Sequence, residues 1–219
     1  MNQGLTTPSG YASHTILVHG LGRTRYDMLL LARRLRRQMP NSEVHLFGYP
    51  SRRASIREAA QELNVFLAKA SGGAPTSFVG HSLGGIIVRA LDLHEVPAAP
   101  LRRLVTLGTP HNGAAIASFL SRYRPMRGLF GPVLSELGDL KLVGPPRQVE
   151  IGCIIGGRKS RWGYLPLLGE DNDGLVTVSE ALHPQSSDYV LRPLFHGLLP
   201  FYGETARLAA AFLMNGSFR

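Results

Sequence analysis

Short apolar runs, each followed by a stretch with helical periodicity, recur along this chain and leave few folds open to it. Thr15-Ile16-Leu17-Val18 is continuous and rich in β-branched residues, as a strand buried on both faces must be. Val44 to Phe47, Ser77-Phe78-Val79, Leu104-Val105-Thr106-Leu107, Val149 to Ile155 and Tyr189-Val190-Leu191 read as five further strands. Amphipathic stretches lie between them, so the expected fold class is α/β: about six mostly parallel strands with helices on both faces. At 219 residues the chain suits one domain spanning 1–219.

The helix signals are local. Tyr26 to Gln38 puts Met28, Leu31, Leu35 and Met39 on one face, with Arg33, Arg34, Arg36 and Arg37 on the others as a solvated surface. Ser55-Ile56-Arg57-Glu58 has the spacing of a capping box, in which serine and glutamate side chains satisfy free amides at a helix start; Thr177-Val178-Ser179-Glu180 repeats it. Further helices are expected from Gly84 to about Leu93 and from about Tyr202 to Leu213. The segment 114–146 mixes apolar residues with arginine, glycine and proline. It reads as short helices and loops, a candidate lid or cap.

The sharpest chemical signal is Gly80-His81-Ser82-Leu83-Gly84-Gly85, set directly between a strand and a helix. A serine hydroxyl is a poor nucleophile unless it meets a base and lies near amides that stabilise an oxyanion. A tight strand-to-helix turn lifts the side chain above the sheet edge and aims a helix N-terminus at the reacting carbon. The flanking glycines let strand and helix backbones approach. Ser82 is therefore the candidate nucleophile, although G-x-S-x-G alone is short enough to arise by chance in a glycine-rich chain.

Three more segments accompany it: Val18-His19-Gly20-Leu21-Gly22, Thr106-Leu107-Gly108-Thr109-Pro110-His111-Asn112-Gly113 and Asp171-Asn172-Asp173-Gly174-Leu175-Val176. With these four in order, the chain resembles the α/β-hydrolase superfamily, and within it the small bacterial lipases and esterases. The resemblance implies a minimal version of that fold, lacking the usual first two strands, with strand order 2-1-3-4-5-6 and a site at the C-terminal strand ends. It implies a Ser-Asp-His triad in the superfamily's chain order. Asp173 matches the acid of the lipase motif, and His196-Gly197-Leu198-Leu199 resembles the histidine segment. The backbone amides of Leu21 and Leu83 correspond to the two oxyanion donors, while Gly20 and Gly22 could instead be plain turn glycines.

Other carboxylates compete for the acid role. Asp139, Asp171 and Asp188 are also candidates, and Asp171 remains plausible because it shares the loop after the penultimate strand. Among histidines, His196 follows the last strand as the base must; His183 precedes that strand and is expected at the surface. His19 is expected to be structural and is kept as a substrate-binding candidate with Phe119, Leu129 and Phe130. Thr109-Pro110-His111 should shape the site wall, with no proton-transfer role for His111. Leu120 and Met126, and near the acid loop Trp162, Leu165, Leu167 and Leu168, could bind an acyl chain or simply pack as core.

The expected reaction is hydrolysis of a small-molecule or lipid acyl ester through an acyl-enzyme. A thioesterase or acyltransferase using the same triad, and a non-catalytic lipid-binding module, are the alternatives. Net charge is +9, almost wholly from arginine, which raises peripheral contact with an anionic membrane surface as a partner; no nucleic-acid motif is present. No cofactor and no metal are expected, since the histidines are scattered, no cysteine pair exists, and the glycine-rich pieces lack Walker or dinucleotide spacing; carboxylates alone leave calcium open. The single Cys153 and the absence of a signal-like or membrane-spanning apolar run make a cytoplasmic location the expectation.

Overall fold

The computed structural model describes residues 14–94, 96–138 and 149–219. Among the described residues six strands form one sheet: β1 His14–Val18, β2 Glu43–Phe47, β3 Thr76–His81, β4 Leu101–Leu107, β5 Glu150–Gly156 and β6 Asp188–Arg192. Their order is β2-β1-β3-β4-β5-β6, and every neighbouring pair is parallel. This is the order that the resemblance to α/β hydrolases implies. Eight α-helices among the described residues connect or cover these strands: α1 Leu29–Gln38, α2 Ile56–Ser71, α3 Leu83–His94, α4 Ala115–Ser121, α5 Arg124–Phe130, α6 Val133–Gly138, α7 Val178–Ala181 and α8 Gly203–Asn215.

Strand alternation explains the continuous apolar runs. Ile16, Val18, Phe78 and Leu104 enter one core with Leu63, Leu67 and Ile86 from α2 and α3. Leu17, Val79, Val105 and Ile154 enter the opposite core with Leu31 and Leu35 from α1 and Phe212 from α8. A strand covered on both faces needs apolar residues at every position, not every second one. Truncating a fully buried residue such as Leu63 to alanine is expected to cost about 2–5 kcal/mol.

Both capping boxes form. Ser55 Oγ accepts from Glu58 N at 3.2 Å while Glu58 Oε2 accepts from Ser55 N at 2.8 Å; Thr177 and Glu180 repeat the pattern at α7. The first helix differs in its opening, where Arg25–Met28 makes a 3₁₀ turn before α1. Two of its arginines also do more than face water: Arg34 donates to the Phe201 carbonyl and Arg36 to the Val44 carbonyl. No described helix is long and apolar enough to cross a membrane.

His183 departs from the surface position expected of it. It is buried, its ring meets His111 edge-on at 4.9 Å between centroids, and burial lowers its pKa to about 4. His111 is buried too, accepting from Arg89 Nη1 at 3.1 Å and donating to Thr106 Oγ1 at 3.1 Å. Burial foremost, then the Arg89 charge, pushes its pKa well below the ordinary value. Sequence neighbours could not reveal this contact, because it joins the start of the segment after β4 to the segment before β6.

Candidate active site

Ser82 occupies the step from β3 to α3 with φ +54°, a left-handed conformation that a side chain adopts only when surrounding contacts enforce it. Here Ser82 N donates to Leu107 O at 2.9 Å, and Ser82 O accepts from Thr109 Oγ1 at 2.9 Å and Gly85 N at 3.1 Å. The glycines matter for space. A Cβ on Gly84 would lie 2.3 Å from the Val18 carbonyl oxygen, and one on Gly80 would lie 2.5 Å from the Gly85 backbone. Leu83 opens α3, whose first-turn amides have no partner within the helix. The loop after β1 passes against this turn, since a Cβ on Gly20 would lie 2.9 Å from Ser82 Cβ.

The acid loop brings Asp173 to His196. His196 Nδ1 donates to Asp173 Oδ2 at 2.7 Å, and His196 N donates to the Asp173 carbonyl at 2.8 Å. The other carboxylate oxygen, Oδ1, accepts from Leu175 N at 3.0 Å and Val176 N at 2.8 Å. Both residues are buried. Asp171 does something else: its carboxylate accepts from the amides of Arg158, Lys159 and Asn172, tying the loop to itself. Asp188 stands at the opposite end of the sheet, where it accepts from Phe218 N and Ser217 Oγ. Asp139 lies outside the described residues, as do Met1 to Tyr11 and the last part of 114–146.

Several supporting residues were not legible as such in the sequence. Asn172 is fully buried; its Oδ1 accepts from Leu165 N and Gly174 N while its Nδ2 donates to the carbonyls of Leu165 and Glu170. That satisfied amide holds the turn that presents Asp173. Gly108 and Gly156 leave the room in which the pair sits. A Cβ on Gly108 would come within 2.9 Å of Asp173 Oδ2 and 3.0 Å of His196 Nδ1, and one on Gly156 within 2.6 Å of Asp173 Cβ. His81 Nε2 donates to the His196 carbonyl at 3.1 Å, with the rings 5.0 Å apart. Burial, then repulsion from His196, lowers the His81 pKa to about 3, so it acts as a neutral donor. The sequence signals were the variable position of G-x-S-x-G for His81, the quoted segments that contain Gly108 and Asn172, and a glycine at the end of β5.

Ser82 and His196 line one cavity of about 210 Å³, together with Gly20, Leu21 and Arg23; no direct hydrogen bond joins the two side chains. Its apolar wall comes from Ile116, Ala117, Leu120, Phe130, Leu134 and Leu137 on α4 to α6. Of the four substrate-binding candidates, Phe130 alone lines it. Phe119 and Leu129 are about half exposed, and Phe119 packs on Tyr123, because each lies on the outer side of its short helix. His19 is buried behind the loop, stacked on Tyr49, with Nδ1 donating to Gly20 O at 2.9 Å. In the Thr109–His111 segment Pro110 forms wall while His111 turns away toward Arg89. Trp162 and Leu167 are exposed and do not line the cavity.

Comparison with solved structures supports the fold at low sequence identity. The mature lipase BlEst2 of Bacillus licheniformis superposes with TM-score 0.70 at 18% identity, covering 90% of this chain and 89% of that one. The metagenomic carboxyl esterase MGS0156 gives 0.60 at 17%, covering 89% and 68%. A lipase-esterase related protein from Clostridium acetobutylicum gives 0.52 at 14%, covering 93% and 94%. No curated protein matches the sequence significantly. The palmitoyl protein thioesterase family model matches residues 14–137, more than half of the chain and the whole stretch from β1 through the Ser82 turn to α6. With a sheet shared with lipases and esterases and this match across residues 14–137, the chain belongs to the palmitoyl protein thioesterase family of α/β hydrolases.

Proposed function

We propose that the protein is a serine carboxylic-ester hydrolase with Ser82 as nucleophile, His196 as general base and Asp173 as its orienting acid. The observation that carries this reading is the buried 2.7 Å His196–Asp173 hydrogen bond beside a strained serine on the same cavity. With Nδ1–H committed to Asp173, the free Nε2 is the basic nitrogen. It takes the Ser82 proton as Oγ attacks the acyl carbon, and the carbonyl oxygen becomes an oxyanion between the Leu21 and Leu83 amides. His196 then gives that proton to the departing alkoxide, leaving an acyl-Ser82 ester. A water, deprotonated by the same nitrogen, attacks this ester; the acid leaves and Ser82 recovers its proton. The apolar wall from α4 to α6 faces the acyl chain of a bound ester.

A thioester substrate is the second reading, favoured by the family match. The same steps apply, with a thiolate as the better leaving group. The test is hydrolysis of p-nitrophenyl esters of graded acyl length beside the matching acyl thioesters, for wild type and Ser82→Ala. Ester turnover abolished by the substitution supports the esterase. Turnover of thioesters alone, equally Ser82-dependent, selects the second reading. Hydrolysis that survives Ser82→Ala overturns both.

A further inference from the structure

At the end of the sheet opposite Ser82, β1 and the edge strand β2 begin with a histidine and a glutamate. In the parallel register His14 pairs with Glu43, and His45 follows two residues along β2, so all three side chains share one sheet face. His14 Nδ1 lies 3.2 Å from His45 Nε2; Glu43 Oε2 is 4.0 Å from the first nitrogen and 3.8 Å from the second. The two rings stack at 5.4 Å with 26° between their planes. Among the described residues, this is the place outside the Ser82 cavity where three metal-ligating side chains converge.

The spacing is that of a chelate. Ligand atoms about 2.05 Å from a tetrahedral zinc stand about 3.4 Å apart. The histidine nitrogens already meet that separation, and Glu43, whose side chain is 73% exposed, needs to swing by only about half an ångström. The imidazoles are largely sheltered, at 15% and 23%, so their positions are set by the strands. Two neutral imidazoles and a carboxylate are a donor set suited to Zn²⁺, with one position left to water.

We propose that His14, Glu43 and His45 form a Zn²⁺ site that clips the edge strand β2 to β1. The alternative occupant of the same geometry is a plain imidazole–imidazole hydrogen bond. The sequence gives no hint of either, because 31 residues separate the two histidines and only the parallel register brings them together.

The test is Zn²⁺ titration of chelator-stripped full-length protein, read by calorimetry, by competition with a chromophoric chelator and by thermal melting. The expected result is one Zn²⁺ per chain and a higher melting temperature at saturation. Glu43→Gln, an exposed change that leaves the fold intact, should weaken binding at least about tenfold, and His14→Gln/His45→Gln should abolish it. His196→Ala should bind as wild type does, which separates this site from the histidines of the Ser82 cavity. Absence of stoichiometric binding at sub-millimolar Zn²⁺, or binding retained by the double variant, would overturn the site.

Discussion

Gly156→Ala is the sharpest available probe of how the sheet holds the site. Gly156 ends β5 with an ordinary negative φ, so alanine brings no backbone strain of the left-handed kind. Its new methyl would stand 2.6 Å from Asp173 Cβ and 2.6 Å from the Leu194 carbonyl oxygen. Saturated carbons rest at about 3.5–4.0 Å, so Asp173 must retreat by about 1 Å. The 2.7 Å bond to His196 Nδ1 cannot survive that displacement unchanged. A misplacement of this size costs about 10²-fold in rate, or about 2.7 kcal/mol of transition-state stabilisation. Overpacking should lower global stability by about 1–3 kcal/mol, leaving a folded protein. The assay is steady-state hydrolysis of a p-nitrophenyl ester beside urea unfolding. The expected pattern is a fall in kcat with little change in KM, because the acid supports the transition state and not ground-state binding. A folded Gly156→Ala with wild-type kcat would refute the claim that Asp173, held by this strand end, orients the base.

Other consequences follow from the same geometry. Asp173→Asn should lower kcat by about 10⁴-fold, because an amide nitrogen facing His196 Nδ1 favours the wrong tautomer, whereas Asp171→Asn should cost far less; equal losses would mean that the loop, not the pair, is what matters. Ser82→Gly should unfold at higher urea than Ser82→Ala by about 1 kcal/mol, since both lack the hydroxyl but only alanine keeps a Cβ at φ +54°; equal midpoints would remove the case for strain. Below pH 6.5 the chain should lose stability. His81, with a folded pKa of about 3, and His183, about 4, stay neutral in the fold while the unfolded chain takes up protons near 6.5. Their contribution is complete above that pH and drains as pH falls from about 6.5 to about 4 for His183 and to about 3 for His81, at up to about 1.4 kcal/mol per pH unit for each imidazole. Unfolding midpoints unchanged from pH 7 to 5 would contradict their neutrality.

Local chemistry made much of this legible. The strand, G-x-S-x-G and helix succession around Ser82 needs only neighbouring residues: a buried apolar run, glycines where backbones touch, and a helix start. The capping boxes at Ser55 and Thr177 are local in the same sense. The doubly covered sheet followed from apolar runs without alternation, and its strand order came from resemblance, since composition and periodicity carry no order. What tertiary structure alone decided are contacts between distant segments. The motif resemblance favoured Asp173 over Asp171, but that Asp173 meets His196 while Asp171 ties the loop to itself depended on how the loop closes on Asn172. Burial of His111 and His183 against Arg89 arises where the segments after β4 and before β6 meet α3, and the convergence of His14 with His45 arises because β1 and β2 lie side by side in the sheet. Residue spacing records the period of a helix or strand. Only packing decides which polar side chains are taken from water together, and so which of them must pair.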